Sequence, residues 1–91
     1  MSMDVKIYQI NLSRDKERVA FLPFSRRRRL DRSIYDKVFD GTVFVGDLES
    51  LYKWANLNPI RNARSMSVSD VVEKDGEFFY CDSVGFKKIH F

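Results

Sequence analysis

The chain has 91 residues, 44% of them hydrophobic and thirteen aromatic, which is one small domain with enough apolar surface for a core that needs neither metal nor disulfide. Its single cysteine, Cys81, excludes an internal disulfide. A first stretch of twenty charge-rich residues excludes a signal-like start, and no apolar run nears the roughly 18 residues of a spanning helix, so a cytoplasmic protein with no membrane segment is expected. The net charge of +3 hides an asymmetry. Residues 1–64 carry thirteen Lys and Arg against eight Asp and Glu, whereas residues 65–91 carry three against five.

In chain order, Met3 to Ile10 alternates as a strand, with Val5, Ile7 and Gln9 on one side. Tyr8 and Ile10 make the other side apolar too, which predicts a central strand. Ser13 to Glu17 is a charged turn. Lys16 stands three residues after Ser13 where a capping box would need an acid. Arg18 to Leu22 predicts a second strand, stopped by Pro23. Residues 23–33 form a basic connection with room for a short helix from Arg27 to Arg32, against the repulsion of its like charges.

Ile34 to Phe39, then Asp40-Gly41, then Thr42 to Val45 reads as a hairpin, because both central residues of a type I′ turn take positive φ. A competing reading makes 33–39 one helical turn feeding a single strand at 42–45. Val43 and Val45 lie in a sheet in both. The main helix spans about 47–57. Asp47 can cap the amides of Glu49 or Ser50, and Glu49 suits the positive end of the dipole. Leu48, Leu51, Tyr52 and Ala55 share one buried stripe, with Trp54 and Leu57 on its flank, so the helix packs on one face of the sheet.

A polar linker covers residues 59–65. The block from Ser65 to Val72 follows, with Ser67 and Asp70 spaced as a helix-start residue and its acidic partner, in a turn or short helix leading to a strand. Lys74-Asp75-Gly76-Glu77 is a hairpin turn, Phe78 to Asp82 returns, and Ser83-Val84-Gly85 bends the chain into a last strand, 86–91, whose faces are ambiguous. The fold class is α+β: one domain over 1–91, with an antiparallel-rich sheet of four to six strands packed against one main helix.

Catalytic chemistry has few candidates. Cys81 and His90 are the residue types of a nucleophile–base pair. But Cys81 lies in an aromatic strand, where a free cysteine behaves as a small hydrophobe, and His90 is penultimate, where chain ends fray. One Cys and one His supply half of a zinc ligand set. The four glycines, 41, 46, 76 and 85, stand singly rather than in a phosphate-cradling loop. Ser67, Ser69, Asp70, Asp82 and Ser83 fit turn and cap hydrogen bonding, with a ligand site as the other reading. No cofactor, no metal and no enzymatic activity are expected.

The basic excess concentrates in Arg26, Arg27, Arg28, Arg29 and Arg32, with Arg61 and Arg64 later. Consecutive arginines repel and must be solvated or paired with an external anion. Three readings follow: a solvated loop, a contact for an acidic protein, or a phosphate-tracking patch on nucleic acid, since the guanidinium fork suits carboxylate and phosphate alike.

Lys6 to Ile10, Ser33 to Gly41, Ser65 to Val72 and Tyr80 to Phe86 together resemble the YodL-like family in order and spacing over nearly the whole chain. Domains of that family occur in Firmicutes and in proteins of conjugative elements and phages, often as one module of larger polyvalent proteins. The resemblance implies a domain with no established enzymatic chemistry that binds a host protein, either a cytoskeletal target or a defence system. The Arg26–Arg29 run departs from the family pattern, which makes it the place to expect a contact particular to this protein.

The function expected is a small inhibitor or modulator from a phage or mobile element, acting by stoichiometric binding, with counter-defence against a CRISPR nuclease as the example. Charge asymmetry would raise its association rate and exclude wrong partners. The alternative is a nucleic-acid-binding accessory protein using the same arginines on phosphates. Oligomeric state is not readable from the chain.

Overall fold

Strand β1, Met3–Ile10, is buried on alternate residues at its start and on both faces from Ile7 onward, as an interior strand of the sheet is. The structure is a computed structural model describing residues 2–16, 18–26, 30–58, 60 and 63–91. The other elements in chain order are β2 (Tyr35–Val43), helix α1 (Leu48–Leu57), β3 (Val71–Lys74), β4 (Glu77–Cys81) and β5 (Phe86–Ile89), with 3₁₀ turns at Phe24–Arg26 and Arg32–Ile34. The sheet order is β2-β1-β3-β4-β5, every neighbour antiparallel. This is the α+β architecture expected.

Both faces of the sheet are covered, by different parts of the chain. On the first face, Met3, Val5, Ile7, Val43, Val72 and Cys81 meet Leu51 and Ala55 of α1. Asp47 caps the helix through its carboxylate on the Ser50 amide at 2.7 Å, and Asn58 closes it on the Trp54 carbonyl. The buried stripe differs slightly from expectation. Trp54 turns inward, edge to face with Phe39, while Tyr52 is exposed. On the second face, Tyr8, Ile10, Tyr35, Val71, Tyr80 and Ile89 are covered by Val19, Ala20, Phe24, Leu30, Ile34 and Phe91. The long β1–β2 connection is therefore the lid of a second core.

Two sequence expectations are corrected here. Residues 18–22 are not a strand. Arg18 and Phe21 take positive φ, at 55° and 67°, and the Asp15 carboxylate accepts the amides of Val19 and Ala20, both at 2.9 Å. With those amides bonded by a side chain, the segment needs no strand partner. Nor does Asp40-Gly41 form a hairpin. It lies inside β2, opposite Lys6 and Val5. The competing reading is nearer, since a 3₁₀ turn at Arg32–Ile34 feeds one strand, but that strand spans Tyr35–Val43. Interior β1 offers a full-length partner along which β2 runs through the dipeptide. The Asp-Gly that does turn is Asp75-Gly76, at φ 53° and 77°, joining β3 to β4 as expected.

The sheet edges are blunted. Ile7 faces Phe39 while Tyr8 faces Lys37, so Val38 is the extra residue of a β-bulge in edge strand β2. Edge strand β5 is four residues long and carries Lys87 and Lys88. No described helix is long and apolar enough to cross a membrane.

Candidate functional site

The Ser65–Val72 block forms a tight turn with no helix after it, correcting the helix-start alternative. Asp70 leads straight into β3. Its carboxylate Oδ2 accepts the Ser67 amide at 3.0 Å, and its own amide donates to the Ser67 carbonyl at 3.2 Å. Ser69, at φ 86°, reverses the chain between them. Paired backbone bonds, Ser69 N–H to the Cys81 carbonyl and Cys81 N–H to the Asp70 carbonyl, fasten the turn to the end of β4. Ser69 and Asp70 are fully buried.

The polar side chains of this block and of the β4 end point at the lid of the second core. Ser69 Oγ accepts the Phe21 amide at 2.9 Å, and the Tyr80 hydroxyl donates to the Leu22 carbonyl at 2.6 Å. Asp82 Oδ1 accepts the Phe24 amide at 3.2 Å, and the Tyr35 hydroxyl donates to the Ser69 carbonyl at 2.7 Å. Three side chains thus bond the backbone at 21, 22 and 24, immediately ahead of Arg26. The serine–aspartate block is the mount on which the arginine-bearing connection sits.

Of the arginines singled out in sequence, Arg27, Arg28, Arg29 and Arg61 lie outside the described residues. Arg26 is exposed at the end of the Phe24–Arg26 turn. Arg32 lies over three rings, 5.5 Å from the centroids of Tyr8 and Phe78 and 5.2 Å from that of Phe91. Lys87, on β5 opposite Tyr80, places its ammonium 5.2 Å over Phe24. Arg64 does not join this group. It is half-buried at the far end of the block, over Phe21 at 5.4 Å. The second face therefore presents Arg32 and Lys87, with exposed Arg26 following Phe24 in the chain, none of the three in an ion pair with a described residue. Cation–π contact fixes Arg32 and Lys87 without neutralising them. Lys87 was missed in sequence. The ambiguous alternation of 86–91 hid its face, which the pairing with Tyr80 decides.

The candidate nucleophile and base are apart. Cys81 pairs with Phe86, and His90 lies four residues further on, about 13 Å along an extended chain. Burial, then the nearby Asp70 and Asp82 carboxylates, push the Cys81 thiol up to about 12. Cys81 is expected to resist iodoacetamide at mildly alkaline pH in the folded protein and to react on unfolding, measured by mass spectrometry. Labelling of the native protein at the rate of a free thiol would contradict this. A cleft of about 320 Å³ opens between α1 and the β4–β5 bend, lined by Tyr52, Val68 and Phe86 with Glu49, Lys53 and Asp82. Among the described residues no three His, Cys, Asp or Glu side chains gather as a metal centre would require.

The YodL-like domain family model matches residues 4–91, nearly the whole chain. The chain belongs to the YodL-like domain family. The blocks that carried the resemblance now have structural roles in this YodL-like domain: Lys6 to Ile10 lies in the interior strand β1, Ser65 to Val72 is the turn that leads into β3, and Tyr80 to Phe86 is the partner of that turn. No curated protein and no solved structure matches the chain.

Proposed function

We propose that this YodL-like domain is a non-enzymatic, cytoplasmic binding protein of a phage or mobile element that occupies a host protein stoichiometrically and inhibits or modulates it. The observation that carries the reading is the second face, where Arg32 and Lys87 stand over an aromatic layer, with exposed Arg26 two residues beyond Phe24, all without carboxylate partners among the described residues. Pre-positioned, unneutralised cations suit an acidic patch on a protein, where they speed association and reject like-charged surfaces. Counter-defence, with inhibition of a CRISPR nuclease as the example, is the role we favour, and a cytoskeletal target is the alternative within the same class.

Nucleic acid is the second reading, because the same cations fit phosphates. The rings beneath them weaken it. Non-specific single-strand binders offer aromatic faces to bases, whereas Tyr8 and Tyr80 are buried and Phe24 and Phe78 lie under Lys87 and Arg32. A protein replaced by alanine at Arg26, Arg27, Arg28, Arg29 and Arg32 should lose its partner in quantitative affinity capture from host lysate while keeping its fold. Undiminished capture would remove the arginine face from the interface. A gel shift at low salt that fades steeply as salt rises would instead establish the phosphate reading.

A further inference from the structure

Beneath Phe21 lies a polar cluster that the binding face does not use. Gln9, a buried amide in the interior strand β1, exchanges two bonds with the backbone of Arg64. Its Nε2 donates to the Arg64 carbonyl and its Oε1 accepts the Arg64 amide, both at 3.0 Å. The same Nε2 donates to Asp70 Oδ2 at 3.0 Å. Four atoms beside this network are buried and have no hydrogen-bond partner among the described residues: Arg64 Nε and Nη2, Ser67 Oγ and Asp70 Oδ1. The first two form one donor edge of a guanidinium, the Asp70 oxygen is an acceptor, and the Ser67 hydroxyl both donates and accepts.

Leaving such groups dry is costly, roughly 1–3 kcal/mol for each neutral one and more for a charged one. Arg64 acts electrostatically on Asp70, yet the two make no direct ion pair. Donor edge, hydroxyl and carboxyl oxygen together match what an internal water needs, two to four polar partners in an enclosed polar site. We propose that enclosed water joins Arg64 Nε and Nη2 to Asp70 Oδ1 and Ser67 Oγ, forming an internal hydration site that pairs guanidinium with carboxyl and holds residues 63–69 and Phe21 against the sheet. This stands independently of what the arginine face binds.

The site is proton-linked. Asp70 is faced by Gln9 from β1, by Arg64 and Ser67 from its own connection, and by Cys81 from β4; of these only Arg64 brings a positive charge. Burial pushes the Asp70 carboxyl up to about 6, against the Ser67, Gln9 and Arg64 contacts that pull it down. Protonation therefore removes the countercharge of Arg64 in a mildly acidic range and loosens its seat under Phe21.

The test is solution NMR on the full chain from about pH 4 to about pH 8. We expect cross-relaxation between long-lived water and the Arg64 Nε proton, an Asp70 carboxyl midpoint above the ordinary 3.8, and a Phe21 amide shift with the same midpoint. Arg64→Met, which keeps the stem and removes the charge, should move the Asp70 midpoint upward. An Arg64 Nε proton that exchanges freely with bulk solvent, or a midpoint unmoved by Arg64→Met, would overturn the proposal.

Discussion

Asp70→Asn is expected to gain stability relative to the wild type as pH rises from about 4 to about 7, by roughly 2 kcal/mol in all. The sign follows from proton linkage. Asp70 has its pKa raised from an ordinary 3.8 to about 6 by burial. The folded state therefore binds more protons than the unfolded chain between those values, and stability falls as pH rises through that window. Each pKa unit corresponds to about 1.4 kcal/mol, which sets the size. Asn keeps the acceptor for the Ser67 amide and Gln9 but cannot ionise. Asp36, held below its ordinary value by Arg14 and Asn11, and Asp47, held down by Ser50, act in the opposite sense, losing their contribution as pH falls. They are common to both proteins and cancel in the difference. Urea titrations of the two proteins across the range measure it, and a difference independent of pH would contradict the buried, ionisable Asp70.

Tyr80 should be the most costly single truncation on the second face. Its side chain is fully buried, meets Phe24 edge to face at 5.3 Å, and donates to the Leu22 carbonyl at 2.6 Å. Tyr80→Ala removes ring and bond together and is expected to cost about 3–5 kcal/mol. Tyr80→Phe keeps the ring and strands the carbonyl, for about 1–2 kcal/mol. Denaturant unfolding of both variants separates packing from latching. Equal losses would mean that the hydroxyl, rather than the ring, holds the lid.

The parts of the fold set by local chemistry were legible in sequence. Helix α1 announces itself through Asp47 and its buried stripe, the β3–β4 turn through Asp75-Gly76, and interior β1 through two apolar sides. What was not legible depends on partners distant in the chain. Asp40-Gly41 carries the same turn signal as Asp75-Gly76, yet β1 holds it extended. Residues 18–22 carry an apolar run stopped by Pro23 that reads as a strand, but Asp15 and Ser69 take amides a strand would pair. At the site, the arginines were visible and their mounting was not, because the bonds from Ser69, Tyr80 and Asp82 to residues 21–24 span 48 to 58 positions. Gln9 gave one readable signal, a polar residue on an apolar side of a central strand, where a buried amide must find partners.

The arginine face and the serine–aspartate block, separate features in sequence, are one structure: the block holds the connection, and the connection presents the cations. Native-state hydrogen exchange tests this most directly, read at the Phe21 and Phe24 amides. In the wild type both should be protected, and Ser69→Ala should speed exchange at Phe21, and Asp82→Ala at Phe24, by about tenfold or more while β1 amides stay protected. Phe21 and Phe24 amides that exchange in the wild type at the rate of an open chain would show that the block does not hold the arginine segment.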